Sequence, residues 1–180
     1  MQRRIMERYE EEGLGLPYPI VLINAAVEYL DEAGKPVGIS VPNLEGLAAA
    51  VAVARAFIPV ELDGREVRFM RKAIGVSAKE FAENLHMDPA TFSRWENNKQ
   101  RVGAWADKEV RMATVAILAQ RMPELRADMD ALFALKARQR ADDEAWPEIV
   151  MHLRTAEDGP IIERRNSRPE ESWAPELKAA

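Results

Sequence analysis

The stretch 77–96 constrains this chain more than any other, because two short helical patterns meet in it with only a tight joint between them. Ser77 is a good N-cap for the first, and Glu80 follows at the spacing of a capping box. Phe81, Ala82 and Leu85 then mark one apolar face at helical spacing. His86 and Met87 form the turn. Asp88 caps the second helix, and Pro89 falls at its first helical position, where a missing N–H costs little. Phe92 and Trp95, three apart, turn inward and leave Ala90, Thr91, Ser93 and Arg94 outside. The pattern predicts a helix-turn-helix. Its second helix is short, polar on its outer face and begins with small residues, as a helix that seats its N-terminal end in a DNA major groove requires.

Each outward residue has a role that its chemistry fits. Arg94 can offer two parallel donors to the O6/N7 edge of a guanine. Ala90 and Thr91 are small enough for close approach to a thymine methyl or a phosphate. Ser93, Lys99 and Arg101 are placed to hold phosphates, which fix register without carrying sequence information. Capped helices with polar outer faces also occur in any small helical domain, so the whole run from Ser77 to Lys99 carries the reading, not the cap alone.

The run Ser93-Arg94-Trp95-Glu96-Asn97-Asn98-Lys99 resembles the recognition helix of XRE/Cro-type regulators. The resemblance covers 76–101 and implies a five-helix-type DNA-binding domain. Asn97, within this run, is counted in the DNA-facing set. Asn98 stands where relatives usually have Gly, at a position expected to need positive φ, which Asn tolerates better than most residues. Ala78 stands where many relatives place a phosphate-holding Gln, and the neighbouring Lys79 is expected to take that contact. A wider match, over about 9–103, resembles the MqsA/YgiT-type antitoxin and regulator family. It implies a zinc-finger N-domain and a toxin partner. The finger cysteines are absent, and Asp31-Glu32-Ala33-Gly34-Lys35 stands where a Cys-x-x-Cys knuckle would lie.

Charge distribution agrees with a DNA-facing segment better than net charge does. The chain carries a formal −5. Residues 64–103 hold eight Lys/Arg against five acids, and the remainder holds seventeen against twenty-five. With no cysteine there is no disulfide and no thiolate metal site, and the two histidines lack ligand spacing. No cofactor, metal or catalytic constellation is expected: nucleophile elbow, Gly-rich phosphate loop and paired His ligands are all missing. The most apolar stretch, 47–60, is interrupted by Arg55 and Pro59 and is too short for a membrane span, so a cytoplasmic protein is expected.

The fold expected is mainly α with small β elements, an α+β chain in four parts. Residues 1–60 form a small sheet and an apolar helix, the start (1–12) being a frayed helix or arm. Strands at 20–23, 26–30 and 37–41 pair as an antiparallel hairpin or three-stranded sheet, and the helix 44–58 is buried on more than one side, at a dimer interface or a junction. Residues 61–140 form the helix-turn-helix domain, beginning with a helix at 64–74. Amphipathic helices follow at 104–122 and from Pro123 to about 140, with Trp105 packed on the helix-turn-helix. Residues 141–165 form a strand and hairpin turning at Asp158-Gly159, and 166–180 a flexible tail whose Trp173 can anchor a contact. The function expected is a sequence-specific repressor binding an inverted-repeat double-stranded DNA operator as a homodimer. The alternatives are an antitoxin whose N-terminal part binds a toxin protein, and an adaptor that uses the same fold for protein contacts.

Overall fold

The computed structural model describes residues 2–125, 127–154 and 172–176. Among them are six helices and two sheets, a mixed α+β architecture.

The chain opens with a bent ribbon. β1 (Gln2–Ile5) and β2 (Arg8–Glu11) run antiparallel to β4 (Val27–Leu30) and β3 (Ile20–Ile23), respectively. Ile5 lies opposite Val27 and Arg8 opposite Ile23, so the returning strand carries one residue more between these pairs. Asn24, at φ 50, marks this bulge. There the ribbon passes from one sheet to the other. The start of the chain is therefore strand, not the helix or arm expected from its charge. Its pairing partner Ile-Val-Leu-Ile decides this, and nothing local to 1–12 signals it.

The first sheet has the order β1-β4-β5, where β5 is Pro36–Ser40. In the β4–β5 hairpin the Asp31 carboxylate accepts the N–H groups of Ala33 (2.9 Å) and Lys35 (2.8 Å), and Gly34 takes φ 77. β3, expected to pair within this hairpin group, belongs to the second sheet, of order β2-β3-β6-β7. β6 (Val150–Arg154) runs parallel to β3. β7 (Ser172–Pro175) falls inside the expected tail, and burial of Trp173 accounts for it. Its indole N–H donates to the Asn43 carbonyl at 3.1 Å. The expected turn at Asp158-Gly159 and the rest of the tail lie outside the described residues.

α1 (Leu44–Ala56) is capped by Asn43 and buries Leu47, Val51 and Ala52. The second sheet, through β7, packs on one side of it. α2 (Gly64–Ala73) and α5 (Ala104–Arg121) pack on the other. The apolarity of α1 is thus satisfied within the chain, at a junction. α3 (Ala78–Asn84) and α4 (Pro89–Glu96) lie beyond α2. The helix expected from Pro123 to about 140 contracts to α6, Met129–Ala134. Past it the backbone is claimed by another segment: Arg138 N–H donates to Pro59 O (3.0 Å) and Arg138 O accepts from Glu61 N–H (2.8 Å).

Two buried arginines tie the junction together. Arg55 Nε donates to Glu66 Oε1 at 2.6 Å, and Tyr18 adds a 2.6 Å hydrogen bond to the same oxygen. Arg111 binds Asp107 at 2.6 Å and donates to the carbonyls of Ala56, Ile58 and Val60. These bonds cross from the segment before residue 60 to the helices after it. Burial, and next the Glu66 charge, push the Tyr18 hydroxyl far above its ordinary pKa, so it stays a donor. No described helix is long and apolar enough to cross a membrane.

Candidate nucleic-acid interface

α2, α3 and α4 are positioned by caps and by one aromatic cluster. Asp63 and Glu66 close a full capping box at the start of α2. Ser77 Oγ accepts the Glu80 N–H at 3.1 Å to start α3, and Asp88 accepts the Thr91 N–H at 2.8 Å to start α4, with Pro89 at its first turn. Between α3 and α4, His86 adopts φ 53 and Met87 is buried. A positive φ reverses the chain within two residues, which is what the tight joint needs. The Phe81 and Phe92 rings meet edge to face at 5.5 Å, and Phe92 meets Trp95 at 6.1 Å. These contacts fix α4 across α3 with its polar side outward.

A second clamp holds the C-terminal end of α4. Glu96 is buried and receives Arg71 Nε at 2.6 Å, while Arg71 Nη1 donates to Val76 O at 2.7 Å. Asn98 takes φ 54, as its position in the run predicts, and its side chain has a structural task. Its Oδ1 accepts the Gly64 N–H at 2.8 Å and its amide reaches the Asp63 carboxylate at 3.2 Å. Burial raises the Asp63 carboxyl pKa, but hydrogen bonds from Arg65 and Asn98 outweigh it and hold the group below its usual range.

Of the sequence-derived set, Ala90, Thr91, Ser93 and Arg94 share the outer side of α4. Ala90, Ser93 and Arg94 are exposed and Thr91 is half-buried. Thr91 donates its hydroxyl to Asp88 (2.9 Å) and accepts from Arg94 Nη2 (3.0 Å), so the guanidinium rests on the helix surface. The Thr91 hydroxyl and backbone bonds hold the Asp88 carboxyl below its usual pKa, which keeps the cap charged. Arg94 to Asp88 is 3.8 Å at an exposed site, an ion pair weak enough for the guanidinium to leave.

The remaining members differ in availability. Lys99 is exposed and makes no ion pair with a described residue. Lys79 lies on α3, 3.8 Å from Glu83. Arg101 is engaged with Glu61, with Nε to Oε2 at 3.0 Å. Asn97 is engaged too: its Nδ2 donates to Ser93 O (2.7 Å) and its Oδ1 accepts from Arg68 Nη2 (2.6 Å). Arg68 is the residue that sequence reasoning left undistinguished among several basic ones. Its contact with Asn97 spans 29 positions, so no local pattern marks it. Trp105, expected against this unit, is 64% exposed, because Ala106 and Asp107 take the inward positions at the start of α5. Among the described residues no group of His, Asp or Glu could hold a metal ion.

No family model, no curated protein and no solved structure matches this chain.

Proposed function

We propose that this chain is a sequence-specific DNA-binding transcriptional regulator that binds an inverted-repeat operator as a homodimer, with α4 as its recognition helix. One observation carries the reading: an eight-residue helix, clamped at both ends, offers Ala90, Thr91, Ser93 and Arg94 from one outer side. A rigid short helix with small residues at its start and an arginine further on suits entry into a major groove. Arg94 contacts a guanine edge after leaving Thr91, while Ser93 and Lys99 hold phosphates. Lys79, at the first turn of α3, takes a further phosphate. Asn97 and Arg68 act together at the far end of α4, the amide holding the guanidinium towards the backbone. Arg101 contributes when Glu61 releases it. Repression by occlusion of the polymerase is the simplest outcome of such binding.

The test is a gel-shift titration of the purified chain against its own upstream DNA, with scrambled competitor, at two salt concentrations. A shift that survives competitor and weakens with salt is the expected result. Loss of the shift to scrambled DNA at both salt concentrations removes sequence specificity, and with it the proposal.

A further inference from the structure

An inverted-repeat operator needs a two-fold partner, and α1, expected at a dimer interface or a junction, turns its apolar side into the chain's own core, as α5 does. The first sheet is different. All four residues of β1 and all five of β5 are exposed, and among the described residues no helix packs closely on β1, β4 or β5. Ile5, Val37 and Ile39 are among the few large apolar side chains left in water.

Its two edges are not alike. β1 carries Arg3 and Arg4, and pairing β1 with its own copy would set like charges against each other. β5 reads Pro-Val-Gly-Ile-Ser, with no charge along its length. Pro36 and the register shift beside it blunt the start of this edge, but from Val37 to Ser40 it is uncharged and carries two β-branched residues, Val37 and Ile39, which suits it to recruit another strand. Its pattern is also its own complement. The midpoint is Gly38, and antiparallel pairing of two copies about that residue sets each Val37 opposite the other copy's Ile39. The register shift between Tyr29 and Leu30 leaves Val37 with no opposite residue on β4. At Gly38 itself nothing lies within 4 Å of where a Cβ would stand, so the axis is open.

We infer that β5 is the homodimer seam, pairing antiparallel with β5 of a second copy about Gly38 to give a continuous sheet of order β1-β4-β5-β5-β4-β1. The neutral edge meets itself without repulsion, while the basic edges stay at the two ends. A five-residue strand pair is small beside the ~1,200–2,000 Å² of a standard interface, so the dimer is weak in free solution. On a two-half-site operator the second contact becomes intramolecular and the seam acts at high effective concentration. The inference rests on the DNA-binding reading for its purpose, but not for its geometry.

The chain has no cysteine, which makes cross-linking decisive. Gly38→Cys places two thiols across the axis, within disulfide reach. Ser40→Cys places them four residues apart along the strands, roughly 13 Å, beyond it. Under mild oxidation of the full chain, Gly38→Cys is expected to form a covalent dimer rapidly and Ser40→Cys to remain monomeric. Ile39→Lys, at an exposed position, is expected to weaken binding to an inverted repeat tenfold or more and leave single half-site binding unchanged. If Gly38→Cys cross-links no faster than Ser40→Cys, the seam is wrong, whatever other partner β5 has. A covalent Gly38→Cys dimer that binds no DNA keeps the seam and removes the regulator reading. Specific inverted-repeat binding that Ile39→Lys leaves unchanged does the reverse.

Discussion

Arg94 and Lys99 separate two kinds of contact that one exposed surface can make. Arg94 lies along α4 against Thr91, and in the proposed reading it leaves that contact to meet a base edge; Lys99 follows the helix, where a DNA backbone would pass in the same reading. Replacing Arg94 by Ala is expected to weaken operator binding by about 1–3 kcal/mol and to relax the preference at one base pair. An isotherm identical to wild type takes Arg94 out of the reading set. Lys99→Ala is expected to weaken all DNA about equally and flatten the salt dependence by about one unit. A changed base preference in a binding-site selection would show that the two contacts had been exchanged. The neighbouring Asn98 was legible as a positive-φ residue from its place in the run. Its hold on Gly64, 34 positions away, was not, because no local rule links a helix end to another helix's first N–H.

At the scale of the element, the start of α2 and the end of α4 are in closer contact than either helix advertises. A Cβ built at Gly64 would lie 1.8 Å from the Trp95 carbonyl oxygen and 2.5 Å from Asn98 Oδ1. Backbone cannot yield there as a side chain can. Gly64→Ala is therefore expected to cost about 1–3 kcal/mol in denaturant unfolding and to lower DNA affinity by displacing α4. Gly103→Ala, where nothing lies within 4 Å, is the control and should change neither by as much. Equal effects at the two glycines would mean that the close approach is not what the position requires. Helices α3 and α4 were readable from caps and periodicity, Ser77 and Asp88 above all. Helix α6 was not, since its apolar spacing continues past Ala134 while Pro59 and Glu61 take the backbone at Arg138.

Across the whole molecule, α1 and the segment after it are joined to α2 and α5 by buried charge as well as by apolar packing. Glu66 has a fully buried side chain and serves Arg55, Tyr18 and the α2 capping box at once. Removing one partner strands the other in a low dielectric. Glu66→Ala is expected to destabilise the chain by about 3–5 kcal/mol in chemical denaturation. The paired change Arg55→Met with Glu66→Leu should recover much of that loss, because desolvating both charges is itself costly. If the double variant is no better than the single one, the network contributes more than charge compensation. The same unfolding curve gauges coupling: a single transition is expected, because the Arg55–Glu66 and Arg111–Ala56 bonds run across residue 60, where the sequence marks a boundary.

The sequence by itself determined the local matters. Caps, helical spacing, the Asp31–Lys35 turn and the inward Phe92–Trp95 pair are all interactions between residues a few positions apart, and their chemistry is written in that order. It also carried the outward set on α4, since a residue opposite a buried pair on a short helix has nowhere else to point. Tertiary structure alone decided that the charged start of the chain becomes strand, that 172–175 returns to complete a sheet, and that Arg101 and Asn97 are held by Glu61 and Arg68. Those outcomes depend on partners from 9 to 40 residues distant. Such pairings are chosen by which surfaces remain to be covered once the local elements exist, and a reading along the chain has no access to that choice.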